Sequence, residues 1–162
     1  MKKLVACLLS VATMVATLYT PALAYDGQPL GENVAYRRTV DVSNSFNTNE
    51  YNKPDFLTDG NLDRGYQTAC VSTNKENPYE DPQTWSIDLG KSYEIDKIVL
   101  YWENAAAKKY KIYVSENKTD WMEVASEEAG EKGRFKYDFA PTNARYVKIE
   151  LEERTMEIYG YC

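Results

Sequence analysis

The sequence predicts an all-β domain, an antiparallel sandwich or barrel, and three observations lead there. Apolar residues recur at every second position in several short runs, the pattern of a strand with one face buried. Turn-forming clusters separate those runs: NKPD, NPYEDP, GKSYE, ENKTD, EAGEKG and APTNA. No window carries a helical period. The alanine-rich stretch WENAAAKKY is too short to hold a helix alone and reads as a loop or single turn.

Taken in order, the 162 residues begin with Met1-Lys2-Lys3, an apolar run from Leu4 to Thr20, and Pro21-Ala22-Leu23-Ala24. That is a charged start, an apolar middle and an A-x-A-like end, so residues 1–24 are predicted to be a secretory signal peptide. Residues 25–32 are a polar lead-in, and residues 33–162 form one domain, long enough for a core of its own. TWSIDLG sets Trp85, Ile87 and Leu89 on one face. IDKIVLYW, Ile95 to Trp102, is nearly continuous in apolar residues and suits a strand buried on both faces. KYKIYVS alternates Tyr110, Ile112 and Val114 against Lys111, Tyr113 and Ser115. RFKYDF does the same with Phe135, Tyr137 and Phe139, and RYVKIEL with Val147, Ile149 and Leu151. By the same patterning Trp85, Trp102 and Trp121 belong to the core.

Charge and composition narrow the function. The formal net charge is −6, and removal of residues 1–24 takes away Lys2 and Lys3 but no acid, leaving about −8. Such a chain is a poor partner for nucleic acid or an anionic membrane and suits a neutral or cationic ligand. There is no histidine, which removes Ser-His-Asp and Cys-His chemistry and histidine metal sites. A binding role is expected rather than catalysis. After cleavage two cysteines remain, Cys70 and Cys162. An even pair in an exported chain predicts a disulfide, closing a loop of roughly 90 residues for about 4 kcal/mol by chain entropy. Asn117-Lys118-Thr119 is a glycosylation sequon.

The stretch FLTDGNLDRGYQTAC, residues 56–70, places Asp59, Asn61 and Asp63 at alternate positions. An EF-hand fails here, because Arg64 and Cys70 stand where the motif needs glycine and a bidentate acid. A tight turn is one reading. A second comes from a wider pattern. FLTDGNLDRGYQT, then W-S-I-D-L-G, then I-D-K-I-V-L-Y-W, then Y-K-I-Y-V-S with a following D-W, then A-R-Y-V-K-I, together resemble the discoidin family. These are the coagulation factor V/VIII C-type domains, called carbohydrate-binding module family 32 in bacterial glycosidases. The resemblance runs from about Asn33 to Cys162.

It implies an eight-stranded antiparallel jelly-roll-like β-sandwich whose ligand site lies on loops at one end. It also implies a structural Ca²⁺ held by Asp59, Asn61, loop carbonyls and an acid of the last strand, Glu157. Read like the animal members, that last position falls on Thr155 instead, and Arg64 stands where relatives usually carry Thr or Ser. Sugar sites need a flat aromatic and a few fixed polar groups. The loops that offer them contain Phe46, Asn49 and Tyr51; Asn77, Tyr79 and Glu80; Trp102, Glu103, Asn104 and Lys108; and Arg154. From these, Tyr51, Tyr79, Glu103, Asn104 and Lys108 are the expected ligand contacts. The expected function is a secreted, non-catalytic glycan-binding module for cell-wall or host polysaccharide. The alternative is a protein- or lipid-adhesion domain, with a membrane disfavoured by the charge.

Overall fold

The computed structural model describes residues 23–24, 31–43, 53–61, 81–157 and 161. Among the described residues six strands form one hydrogen-bonded sheet: β1 Leu23–Ala24, β2 Val40–Val42, β3 Gln83–Trp102, β4 Ala107–Ser115, β5 Met122–Glu127 and β6 Gly133–Arg154. Their order is β2-β3-β6-β4-β5, with β1 paired to β6, and every pairing is antiparallel. A short 3-10 turn, Pro54–Leu57, precedes Thr58.

Two strands are too long to lie flat. Trp85 and Trp102 sit 17 residues apart on β3, a span of about 56 Å if extended. Their ring centroids are 5.5 Å apart, so β3 turns back on itself. β6 does the same: Tyr137, on its first half, meets Tyr110, the partner of Leu151 on its second, with ring centroids 6.2 Å apart. The register of β3 with β6 shifts between Asp88/Tyr93 and Ile95/Lys97, where β3 bends. The single sheet therefore folds into two layers facing one another. That is the sandwich expected from the sequence.

The bends explain two breakers that do not break. GKSYE and APTNA read as connections, yet they lie inside β3 and β6. Gly90 marks the first corner with φ +87°, a conformation glycine adopts without steric cost. Its N–H donates to Asp88 Oδ1 at 2.8 Å, and Arg145 grips both Asp88 oxygens at 2.9 Å from the facing strand. The Arg145 guanidinium, with help from the Gly90 N–H, holds the Asp88 carboxyl well down, at about 2.

The alternation places the core as expected. Tyr110, Ile112, Val114, Val147, Ile149 and Leu151 are buried, with Trp85, Leu89, Trp102 and Tyr137. A hydroxyl relay runs through it: Trp102 Nε1 donates to Tyr110 Oη at 3.2 Å, and the Tyr110 and Tyr137 hydroxyls share a hydrogen bond. Burial pushes the Tyr110 hydroxyl up to about 12. Two expectations are corrected. IDKIVLYW is half-buried rather than buried on both faces, with Tyr101 exposed, because only one side of that half of β3 faces the opposite layer. Trp121 is not core. Its ring lies 4.9 Å from Lys148 Nζ, and Tyr113 lies 4.4 Å from the same ammonium. Lys148 shares the sheet row of Ser86 and Tyr113, opposite in facing to buried Val147 and Ile149, so Trp121 packs on the outer face.

Leu23 and Ala24 pair with Lys136 and Phe135. A chain cut after Ala24 would lose this short addition and keep the rest of β6 pairing.

Candidate functional site

β2 runs antiparallel to β3, so beyond Val42 the chain leaves at the end where Gln83 enters. β4 starts and β6 finishes at that same end, Ala107 opposite Arg154. The connection from Trp102 to Ala107 also lies there. This end of the sandwich carries the Trp102–Ala107 connection and the close of β6, and among the described residues it is held by three sets of interactions.

The first is a cross-braced loop. Glu103 Oε2 accepts the Ala105 N–H at 3.1 Å. The Ala106 carbonyl accepts the Thr155 N–H at 3.0 Å and its hydroxyl at 3.1 Å, and the Asn104 carbonyl accepts the same hydroxyl at 3.1 Å. Ala105, Ala106 and Ala107 are buried, and their small side chains let the segment lie against the core. Asn104 is left exposed at the crest.

The second set is ionic. Lys108 Nζ donates to Glu153 Oε1 at 2.5 Å, and Lys109 Nζ stands 3.5 Å from both Glu153 and Glu128. The Lys108 ammonium, with Lys109 behind it, lowers the Glu153 carboxyl below its usual range. These groups are exposed, so the pairs fix geometry more than they stabilise.

The third is the firmest. Arg154 donates to Asp81 from Nε at 3.1 Å and from Nη2 at 2.6 Å, and the Tyr161 hydroxyl donates to Asp81 Oδ1 at 2.6 Å. The Arg154 guanidinium lies 5.3 Å from the Tyr161 ring centroid. Burial, then Asp81, drives the Tyr161 hydroxyl far up from its ordinary value. Arg154, one of the loop residues the sequence offers but not one of the expected ligand contacts, is thus a structural clamp: its side chain is 7% exposed.

Of the expected contacts, Glu103, Asn104 and Lys108 share this one end. Trp102, beside them, is core at 5% exposure. Tyr51, Tyr79, Phe46, Asn49, Asn77 and Glu80 lie outside the described residues, as do Cys70 and Cys162. Asp81, Glu153 and Tyr161 were not nominated, Thr155 was named only as an alternative calcium position, and of the turn signals only NPYEDP contains one of them, Asp81.

Of the expected calcium ligands, Asp59 and Asn61 share one turn, with the Asn61 N–H donating to Asp59 Oδ1 at 2.8 Å. Glu157 is exposed, beyond the end of β6. Among the described residues no three of His, Cys, Asp or Glu converge as a metal site would need. A turn offering one carboxylate and one amide is short of the roughly six to eight oxygens a calcium ion takes, so the described side chains do not by themselves complete such a site.

Known proteins share this architecture. Chitosan-binding module 1 of a Paenibacillus sp. IK-5 chitosanase/glucanase is 26% identical, covers 80% of this chain and 92% of its own, and superposes with a TM-score of 0.68. Module 2 of the same enzyme, solved with chitotriose, is 28% identical over 80% of this chain and 93% of its own, with a TM-score of 0.66. The family 32 carbohydrate-binding module of Clostridium perfringens NanJ, solved with galactose, is 20% identical over 78% and 88%, with a TM-score of 0.60, and shares the fold. Comparison with curated proteins yields no match. The family described as NedA-like, galactose-binding domain, of the F5/F8 type C kind, matches residues 56–149, and the chain belongs to that family.

Proposed function

We propose that this chain is a non-catalytic carbohydrate-binding module that holds a glycan with the loops around Glu103, Asn104 and Lys108, and that amino-sugar oligomers of the chitosan type are its first ligand class. The likeness to two chitosan-binding modules at 26–28% identity over 80% of the chain carries the reading. Charge supports it. A chain of net −6 concentrates a polycation near its surface, and Glu103, Glu128, Glu131, Glu153 and Glu157 stand in or beside the connections at this end. The loop suits the task because it is braced before any ligand arrives, and a preformed site loses less entropy on binding. Its exposed amide, Asn104, can both donate to and accept from sugar hydroxyls. The N-terminal residues 1–24 add export to this reading, placing the module where polysaccharide is met.

Isothermal titration of the full-length and signal-free chains with chitosan oligomers, N-acetylated oligomers and galactose tests the proposal. Binding of the amino-sugar oligomers, weakened by salt and by Asn104→Ala, is expected. Binding of galactose alone would overturn the ligand class and keep the module. Silence with all three and across a glycan array would overturn the carbohydrate reading.

A further inference from the structure

The opposite end of the sandwich carries a second feature, distinct from the loops discussed above. Asp88 lies five positions along β3 from Gln83, about 17 Å away. Around it Arg37, Arg38, Thr39, Asp41, Asp88, Gly90 and Lys118 line an open cleft of about 390 Å³. In an acidic protein this cleft is locally basic. Both oxygens of Asp88 are taken by Arg145 at 2.9 Å, so that carboxylate is already neutralised. Among the described lining residues Asp41 is the remaining acid against three cations, and it stands 3.6 Å from Lys118 Nζ.

The two arginines have no carboxylate partner among the described residues. Arg38 donates only to neutral oxygens, the Val34 carbonyl at 3.3 Å and the Tyr93 hydroxyl at 3.2 Å. Its Nη1 is pressed so close to the corner that a Cβ at Gly90 would stand 2.9 Å from it. Arg37 is exposed, with its guanidinium 5.1 Å from the Tyr36 ring. A guanidinium fixed in place, with donors to spare, is the side chain best matched to a carboxylate, sulfate or phosphate group.

The backbone supplies an independent observation. Among the described residues only two that are not glycine have positive φ, Arg37 at 55° and Lys118 at 65°. Both line this cleft. Asparagine or glycine is the ordinary occupant of that conformation, and a long basic side chain there is strained. Lys118 is held in it by its neighbours: the Ser115 hydroxyl accepts the Asn117 and Lys118 N–H groups at 3.1 and 3.0 Å, and Asn117 Oδ1 accepts those of Thr119 and Asp120 at 2.9 Å. Arg37 is fixed by its N–H to the Thr58 carbonyl at 2.7 Å. The same backbone conformation thus recurs at two basic residues that line one cleft from separate loops.

We infer that this cleft is an oxyanion site, accepting the charged group of an acidic glycan through Arg37, Arg38 and Lys118, separate from the amino-sugar loops. A uronate carboxylate and a sulfate or phosphate ester share that chemistry. The test titrates the full chain with inorganic sulfate, inorganic phosphate and an oligogalacturonate, following the amide resonances of residues 37–41 and 118. The deciding variant is Arg37→Asn/Lys118→Asn, which removes two charges while supplying a residue at ease with positive φ, so folding is retained. Binding of at least one probe by the parent, weakened about tenfold or more in the double variant with no drop in melting temperature, is expected. Oligogalacturonate as the preferred probe would point to uronates, and the inorganic ions to esters. Unchanged affinity in the variant, or no binding of any probe to the parent, would overturn the site. Neither outcome depends on whether amino sugars bind at the other end.

Discussion

Replacing Asp81 by alanine should be among the most damaging single changes near the candidate loops. Asp81 accepts two hydrogen bonds from an arginine that is 7% exposed and a third from a tyrosine that is fully buried. Removing one partner of a buried ion pair leaves the other charge uncompensated, at about 3–5 kcal/mol. The Asp81 side chain is 26% exposed, so water relieves part of that, and we expect about 2–3 kcal/mol. For a domain of this size the melting temperature should fall by roughly 8–12 °C. Urea unfolding at neutral pH measures it, with an unchanged m-value showing that the same state unfolds. Arg154→Met should cost less than Asp81→Ala, since it takes the charge away with the partner. The double variant should recover part of the loss, a coupling of about 1 kcal/mol or more. A loss under about 0.5 kcal/mol for Asp81→Ala, or strict additivity, would refute the view that this triad clamps the end of the sandwich.

Asp88→Asn should cost about 1 kcal/mol at neutral pH, a value reduced for the solvent around a half-exposed pair. Because the folded carboxyl sits near 2, below its unfolded value, the native state binds fewer protons, and this contribution is present above about pH 4 and disappears as pH falls through 2. Parent and variant melting curves should therefore converge in acid, and a gap that persisted there would contradict the assignment. Gly130→Ala puts a Cβ 2.3 Å from the Ala107 carbonyl and 2.8 Å from the Tyr110 ring, so backbone must move, and about 2 kcal/mol or more should be lost in urea unfolding. A loss within 0.5 kcal/mol would show the loop to be loose. Tyr110→Phe leaves the buried Trp102 N–H and Tyr137 hydroxyl short of a partner, at about 1–3 kcal/mol, with an altered near-ultraviolet circular dichroism; an unchanged spectrum and stability would dissolve the relay.

How much of this was legible in the sequence depended on the range of the interaction. Alternation identified Tyr110, Ile112 and Val114, and Val147, Ile149 and Leu151, because a strand's facing is set residue by residue. GKSYE and APTNA were misread as connections because a corner within a strand uses the same residues as a turn between strands. The facing rings distinguish the two cases, Trp85 with Trp102 for β3 and Tyr137 with Tyr110 for β6. Trp121 was assigned inward by pattern, while its environment is Lys148 and the outer face, which the period-two reading of its own short run does not reveal. Glu103, Asn104 and Lys108 come to one end of the sandwich because they lie within six residues of one another, across the β3–β4 connection. Asp81 was missed because its partners are 73 and 80 residues away, and nothing local in an Asp-Pro marks a carboxylate held by a buried arginine.

The two ends of the sandwich are joined by the core. Trp102 is at once the last residue of β3, the donor to the Tyr110 hydroxyl and the neighbour of Glu103. The loop that carries Asn104 therefore rests on an aromatic stack to which β3 gives Trp85 and Trp102 from its two halves, β4 gives Tyr110 and the first half of β6 gives Tyr137. The other end is fixed by the Asp88–Arg145 pair, which ties the corner of β3 to β6. That pair also occupies the acid that would otherwise offset one of the three cations Arg37, Arg38 and Lys118. One ion pair thus closes the sandwich and keeps the cleft basic. The two roles can be separated: Asp88→Asn would loosen the corner yet keep the cleft positive, whereas Arg145→Gln would loosen it equally and return a carboxylate to the cleft. Equal losses of stability with opposite effects on oxyanion binding are what this arrangement requires.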